Sequence, residues 1–376
     1  MSPAPGHDGS AYRSAGVDYR ALDAGKRQAL NAALATSGLL QSRGARAVDA
    51  SRGETAFVFE FADHAFAFVL EGLGTKSMIA RQVEQDLGYA VYGDVAYDTV
   101  AAIVNDLCCV GAIPLVVSAY FVIGSSDWYT HPQRQAALVE GWRAGCVNAG
   151  ATWGGGESPS LPGLVTPDEI ELAGSAIGVV PQGQRPILGD DLRVGDEIVF
   201  VESNGLHANG SSLARKIAQG LPDQYNTLLP SGRSFGQALL DRSAMYVPLV
   251  EALVHSDVDV HYLSHITGHG FQKLMRARTA FTYRIRELPQ VPEVLTFMVS
   301  EAEMSDTEAY STFNMGCGFA IYCGRGSGET AVRIAASLGL GAMVAGAVED
   351  GPRRVLLPNG VVFEDDDMDL APRRAA

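Results

Sequence analysis

Apolar and polar positions alternate with two different periods along the first half of the chain. Helices are predicted where apolar residues recur at near-helical spacing, in residues 21–40, 97–110 and 133–149. Strands are predicted in a hairpin over residues 55–71 that turns at Ala62-Asp63-His64, and in the β-rich residues 114–123 and 172–180. Residues 1–18, which precede the first helix, are predicted to form an extended arm.

A polar stretch containing Pro181, Gly183 and Pro186 separates this half from a second series of elements. Beyond it, strands are predicted in residues 196–201, 258–266 and 312–323, and helices in residues 211–219, 243–254 and 328–338. Interleaved strands and helices without a short repeat predict an α/β or α+β protein with two lobes. We place the domain boundary so that residues 1–185 and 186–376 form separate domains, the second ending in an acidic, solvated tail.

Composition supports this division and narrows the range of partners. The 376 residues fit two medium domains, and 47% hydrophobic with 19% charged residues is typical of globular chains. A formal net charge of −15 disfavours a nucleic acid partner. The N-terminus lacks the features of a signal peptide, and no apolar run is long enough to span a membrane. We therefore predict a cytoplasmic protein.

The cysteines show no spacing that is typical of a metal site. All five lie in apolar or glycine-rich stretches: Cys108, Cys109, Cys146, Cys317 and Cys323. Buried free thiols in a reducing compartment are the expected state.

Residues 71–76 (Glu-Gly-Leu-Gly-Thr-Lys) follow an apolar strand. The glycines let backbone N–H groups approach a phosphate, Lys76 can add a positive charge, and Thr75 a hydroxyl. Glu71 offers a hard oxygen ligand for magnesium. The segment lacks P-loop spacing, and a strand-to-helix turn that binds nothing would have the same sequence.

Further carboxylates follow in a predicted helix. Asp98 and Asp106 are eight positions apart, about two turns, and so share a face among apolar neighbours. Clustered carboxylates of this kind hold the magnesium that neutralises ATP phosphates. The alternative is that Asp94 caps the helix and the others form a solvent-facing stripe.

Four more segments carry polar groups on glycine-rich turns. They are residues 154–159, 204–210, 265–270 and 312–318. Gly154, Gly155 and Gly156 are expected to form no regular element and to place Glu157 on a tight turn. His207 and His265 are candidates for anion binding or proton transfer, although single histidines are more often structural.

In this order, the motifs resemble the aminoimidazole ribonucleotide synthase family. The resemblance runs from about residue 12 to residue 321. It rests on residues 12–18 (Tyr-Arg-Ser-Ala-Gly-Val-Asp), 72–76, 105–107, 111–115, 155–157, 173–179, 205–210, 265–268 and 313–316 (Phe-Asn-Met-Gly). The superfamily also contains selenophosphate synthetases, thiamine-phosphate kinases and hydrogenase-maturation proteins.

The resemblance implies a fold and a reaction. The strands of the N-terminal lobe would pair across a homodimer into a β-barrel, with ATP bound between that lobe and a C-terminal α/β lobe. The enzyme would be a ligase of purine biosynthesis that phosphorylates an amide oxygen of a formylglycinamidine substrate. An internal nitrogen would then close an imidazole ring. ATP, Mg²⁺ and a small-molecule substrate are the expected ligands.

Roles are assigned within this hypothesis. Magnesium would be bound by Glu71, Asp98, Asp106 and Glu157. Contacts to ATP are expected from Gly72, Gly74, Thr75, Lys76, Asp94, Gly155 and Gly156. The substrate would contact His207, Asn209, Thr267 and Gly268, and catalytic roles are expected for Lys76, His207 and His265.

The sequence also departs from the family pattern. Glu71 stands where the family usually has Asp, and residues 41–55 replace an expected glycine-rich stretch with an aromatic residue. His269 replaces a glycine, and residues 272–276 replace Glu-Asn-x-Pro-Arg. Near Asp241, the expected Pro-Thr-Arg is missing. Two alternatives therefore stay open: a paralogue that activates a different amide or carbonyl acceptor with ATP, and a non-catalytic nucleotide-binding dimer.

Overall fold

The computed structural model describes residues 19–364, so the predicted arm and most of the acidic tail lie outside the described residues. The N-terminal lobe consists of α1 (Tyr19–Leu34), β1 (Ala45–Ala47), β2 (Phe57–Phe61), β3 (His64–Gly72), α2 (Lys76–Leu87), α3 (Tyr92–Cys108), β4 (Ile113–Ile123), α4 (Pro132–Asn148), β5 (Thr152–Glu157) and β6 (Ile170–Val179). The predicted hairpin is confirmed, with positive φ angles of 48° and 65° at Ala62 and Asp63 in its turn.

One sheet organises this lobe, in the strand order β1-β2-β3-β6-β4-β5. Alternate residues of β6 are buried, as expected of a sheet with one covered face. Helices α3 and α4 cover that face, where Trp142 packs edge-on against Phe121 with ring centroids 5.0 Å apart. The apolar alternation seen in the sequence therefore creates the core of this lobe.

The opposite face of the same sheet is apolar but uncovered by any described residue. Phe68 and Leu70 of β3 and Tyr120 of β4 are 44%, 69% and 41% exposed. Next to them, Phe59 and Phe66 stack with ring centroids 5.6 Å apart. An exposed apolar patch of this kind is typical of a protein interface.

The C-terminal lobe contains a second sheet with the strand order β13-β12-β9-β11-β7-β10-β8. Its elements are β7 (Glu197–Glu202), α5 (Ser211–Gly220), α6 (Phe235–Leu239), α7 (Val247–Val254), β8 (Val260–His265), β9 (Thr282–Ile285), α8 (Glu293–Glu301), α9 (Asp306–Thr312), β10 (Cys317–Cys323), α10 (Gly328–Ser337), β11 (Ala342–Glu349), β12 (Arg354–Leu356) and β13 (Val362–Glu364). Every residue of β10 is buried, so this sheet is covered on both faces.

Three predicted elements were wrong in part. The helix predicted over residues 243–254 begins only at Val247, because Asp98 and Asn105 accept the N–H groups of Ser243 and Tyr246. The strand predicted over residues 312–323 begins at Cys317, after α9 and a turn. The helix predicted over residues 21–40 ends at Leu34 and gives way to a short 3₁₀-helix.

The glycine-rich residues 154–156 form strand β5 rather than the expected tight turn. They lie beside β4 in a parallel pairing with an irregular register. A Cβ atom on Gly156 would lie 2.1 Å from the Ala119 carbonyl oxygen, so only glycine allows this close approach. The glycines here serve strand packing.

The predicted mixed α/β class is confirmed, and the two sheets are joined by residues 180–196. The exact domain boundary at residue 185 stays a prediction. All five cysteines are free and buried, as expected. None of the helices described between residues 19 and 364 is both long and apolar enough to cross a bilayer.

Candidate active site

A cavity of about 270 Å³ lies where the two lobes meet. Seven of its lining residues are candidates from the sequence motifs: Glu71, Gly72, Asp106, Asn209, His265, Thr267 and Gly268. The variant position His269 also lines it. The ends of β3 and β8, the last turns of α3 and the segment before α5 thus converge on one space.

The chemical centre of this cavity is a carboxylate pair. Glu71 and Asp106 both line the cavity and interact with each other. His265 Nδ1 donates to Asp106 Oδ1 over 2.6 Å, because an ionised carboxylate can only accept. Burial opposes the ionised form of Asp106, but the hydrogen bond and charge of His265 outweigh it and lower the pKa of that carboxyl. Burial and the Asp106 charge together raise the pKa of Glu71 to about 7.

This raised pKa predicts a pH-dependent stability that Glu71→Gln removes. Between pH 4.5 and about 7 the folded protein binds more protons at Glu71 than the unfolded chain does, so its free energy of unfolding falls as pH rises. The free energy of unfolding of Glu71→Gln, relative to that of the wild type, should therefore increase by about 1–3 kcal/mol across this pH range. Urea unfolding of ligand-free protein from pH 5 to pH 8 measures it. Glu287→Gln, at an exposed position, is the control, and equal pH curves for wild type and Glu71→Gln would contradict the assignment.

Sequence reasoning missed the basic residues of the cavity. Lys26, Lys273 and Arg276 line it together with Glu54. Arg276 donates to the Gly53 carbonyl oxygen over 2.8 Å, and Glu54 accepts a hydrogen bond of the same length from Tyr262. The segment that ends at residue 55, which has no counterpart in the family pattern, is therefore fixed against the C-terminal lobe.

The predicted convergence of Glu71, Asp98 and Asp106 is not observed. Asp98 forms a salt bridge with Lys76, and both side chains are fully buried. Asp98 also accepts the Ser243 N–H over 2.6 Å, and Lys76 donates to the His207 carbonyl oxygen over 2.7 Å. Eight residues of helix correspond to an axial separation of about 12 Å, so Asp98 is too far along α3 to join Asp106. Neither Lys76 nor Asp98 lines the cavity.

The rest of the glycine loop lies at the cavity edge. Gly72 and Leu73 line it, whereas the Gly74 N–H is already bound to Glu171 Oε1 over 3.1 Å. Thr75 contacts the hydroxyl of Ser212 over 3.0 Å, which joins the first turns of α2 and α5. The phosphate-binding roles of Gly74, Thr75 and Lys76 stay predictions.

His207 is buried and does not line the cavity, whereas Ala208 and Asn209, which follow it in the chain, do. Burial, the neighbouring His265 and Lys76 lower the pKa of His207 to about 3. Its Nε2 atom contacts Asn204 Oδ1 over 3.0 Å. An imidazole with this pKa is neutral near pH 7 and cannot attract an anion by its own charge, and the catalytic and substrate-binding roles of His207 stay predictions.

Four other candidates are remote from the cavity lining. Gly155, Gly156 and Glu157 lie in the edge strand β5, and Glu157 is exposed. Asp94 forms a salt bridge of 2.8 Å with Arg242, at the edge of a different cavity of about 560 Å³. The structure therefore brings none of these four to the carboxylate pair.

Magnesium fits the cavity only with additional ligands. Within residues 19–364, no three His, Cys, Asp or Glu side chains are grouped as metal ligands. Glu71 and Asp106 provide two carboxylates, and Mg²⁺ commonly takes one or two such ligands together with waters and substrate phosphates. This donor set suits one metal ion that arrives with a nucleotide.

Comparison with known proteins places this arrangement in a family. Residues 53–180 match the family model of the AIR synthase related protein, N-terminal domain, and residues 193–357 match that of the C-terminal domain. The chain belongs to the AIR synthase related family. Residues 19–52, which include Lys26, precede the matched region.

Several proteins similar to this chain are named phosphoribosylformylglycinamidine cyclo-ligase. The protein of that name from Methanobrevibacter smithii is 33% identical, over 74% of this chain and 78% of its own length. The one from Methanothermobacter thermautotrophicus is 36% identical, over 71% of this chain and 75% of its own length. The one from Methanococcus maripaludis is 30% identical over 90% and 92%. The family resemblance predicted from the motifs is confirmed.

Solved structures extend the likeness to the fold. AaThiL complexed with AMPPCP and TMP superposes with a TM-score of 0.57 at 14% identity, over 82% of this chain and 89% of that chain. T. maritima PurL complexed with AMPPCP superposes with a TM-score of 0.53 at 17% identity, over 85% of this chain and 47% of that chain. At these identities the likeness concerns architecture alone.

Proposed function

We propose that the protein is an ATP-dependent phosphoribosylformylglycinamidine cyclo-ligase. One observation carries the proposal: motif residues from both lobes, among them Glu71, Asp106, Asn209 and His265, line a single cavity in a chain whose relatives have that name. Structural neighbours solved with AMPPCP, an analogue of ATP, support the use of ATP.

The proposed reaction has two steps. The γ-phosphoryl group of ATP passes to the amide oxygen of the substrate and leaves ADP. An internal nitrogen then attacks the activated carbon, and the C–O bond to the phosphate breaks, which releases inorganic phosphate and closes the imidazole ring. Activation is needed because an amide oxygen is a poor leaving group until it carries phosphate.

The cavity residues suit this chemistry. Glu71 and Asp106 would hold magnesium, which neutralises the phosphate charge, and His265 is fixed by its hydrogen bond to Asp106. Asn209, Thr267 and Gly268 line the C-terminal side of the cavity and would contact the substrate. The basic side chains of Lys26, Lys273 and Arg276 give an anionic ligand several positive charges.

Turnover of formylglycinamidine ribonucleotide tests the proposal. Purified protein with ATP and Mg²⁺ should release ADP, phosphate and aminoimidazole ribonucleotide in equal amounts. ATP binding measured in parallel by calorimetry separates the two alternatives. ATP binding without turnover of this substrate, but with turnover of another amide, would replace the proposal by the changed-acceptor alternative. ATP binding without any turnover would favour a non-catalytic role.

The changed-acceptor alternative is supported by cavity residues that depart from the family pattern. His269 and Lys273 line it where the family pattern differs from this sequence. Glu71 and Asp106, which line the same cavity, keep the acidic character that a metal-bound nucleotide requires. A panel of amide and carbonyl acceptors, with ADP release as the measurement, would identify such a substrate.

We further propose that the protein is a homodimer formed through the uncovered face of the N-terminal sheet. Leu70→Glu should convert the dimer to a monomer, because two buried carboxylates would replace apolar contact at the interface. Light scattering after size-exclusion chromatography measures the mass. Leu164→Glu, at a loop position that is 80% exposed, should leave the dimer unchanged. A wild-type monomer at micromolar concentration would exclude this interface.

A further inference from the structure

Lys273 carries a buried ammonium group that lines the same cavity as the carboxylate pair. Its side chain lines the active-site cavity and interacts electrostatically with both Asp106 and Glu71. The residue is only 7% exposed. A charge this well removed from water requires partners of opposite sign, and the pair provides them.

The local backbone holds Lys273 in place. His269 and Gly270 have φ angles of 69° and 52°, which turn the chain into a 3₁₀-helix over Gly270–Met275. A Cβ atom on Gly270 would lie 2.1 Å from the Tyr310 carbonyl oxygen, so this turn requires glycine. The ammonium group of Lys273 donates to the Thr267 hydroxyl, and Ser264 donates to the Lys273 carbonyl oxygen over 3.1 Å. The cation is thus part of the cavity wall.

The charges in this region have a consequence for metal binding. Glu71 and Asp106 attract a divalent cation, but the Lys273 ammonium lines the same cavity and interacts electrostatically with both. A metal ion bound by the pair would be repelled by the ammonium group, whereas the phosphates of a nucleotide would be attracted by it. Bound phosphate therefore favours the metal in two ways: it supplies ligands and it offsets the lysine charge.

We propose that the positive charge of Lys273 prevents a divalent metal ion from binding to the Glu71–Asp106 pair until a nucleotide supplies its phosphates. The lysine thus enforces an order in which metal enters with the nucleotide. This inference rests on the proposed function only in taking the ligand to be a nucleotide. The charge balance of the empty pair does not depend on which acceptor is used.

Mn²⁺ binding to the nucleotide-free protein tests the inference, with the free metal measured by electron paramagnetic resonance. The wild type should bind Mn²⁺ no tighter than millimolar. Lys273→Gln should bind it at least about tenfold tighter, because removal of one positive charge from the cavity removes its repulsion of the metal ion. Lys273→Arg keeps the charge and should match the wild type. Lys216→Gln, on α5 and outside the cavity lining, is the control for loss of a positive charge elsewhere.

Two results would overturn the inference. One is equal Mn²⁺ affinity in wild type and Lys273→Gln. The other is tight, nucleotide-independent Mn²⁺ binding by the wild type that Glu71→Gln abolishes, a measurement that needs no folded Lys273 variant. Because no substrate is present, either result is distinct from a failure of the cyclo-ligase assay.

Discussion

Asp106→Asn is expected to reduce ATP turnover about a hundredfold or more while leaving the fold intact. The amide keeps the size of the side chain but loses the charge that would bind metal and that fixes His265 through their 2.6 Å hydrogen bond. Release of ADP with saturating ATP, Mg²⁺ and substrate measures turnover. Thermal unfolding checks the fold.

The control for this variant is Asp63→Asn, which removes a carboxylate from the exposed turn of the β2–β3 hairpin. Its turnover should equal that of the wild type. Near-normal turnover of Asp106→Asn would remove Asp106 from the active site and with it the role of the cavity in phosphoryl transfer.

Lys76→Met should lower the free energy of unfolding by about 3–5 kcal/mol, because it leaves the fully buried Asp98 without its cation. Urea unfolding at neutral pH measures the change. The double variant Lys76→Met/Asp98→Asn should recover most of the loss, since no buried charge remains and the amide oxygen can still accept the Ser243 N–H.

An exposed pair provides the comparison. Arg143 and Glu140 form a salt bridge of 2.6 Å on the surface of α4, where water screens both charges. Arg143→Met should leave unfolding unchanged within error. If Lys76→Met were equally harmless, the buried salt bridge would not be part of the structural core of the lobe junction.

The sequence predicted those parts of the molecule that depend on local pattern. The hairpin at Ala62-Asp63, the helix through Asp106 and the strand that ends at His265 all follow from periodicity and turn residues. The order of the motifs was sufficient to predict the family, and with it the cavity that Glu71, Asp106 and Asn209 line.

What the sequence could not predict depends on distant partners. Lys76 and Asp98 are 22 positions apart, and each is a residue type that commonly binds ligands. Only the packing of α2 on α3 shows that the two side chains pair with each other. Lys273 was missed because it lies in a 3₁₀-helix whose entry requires a positive φ at His269, a conformation that sequence patterns do not predict for histidine.

The Lys76–Asp98 salt bridge also has a consequence for motion. Through the His207 carbonyl oxygen and the Ser243 N–H it connects α2 and α3 to two separate segments of the C-terminal lobe. Hinge opening between the lobes would have to separate these groups and hydrate a buried ion pair. The protein is therefore expected to admit and release its ligands without large interlobe rotation, by movement of side chains and short segments at the cavity rim.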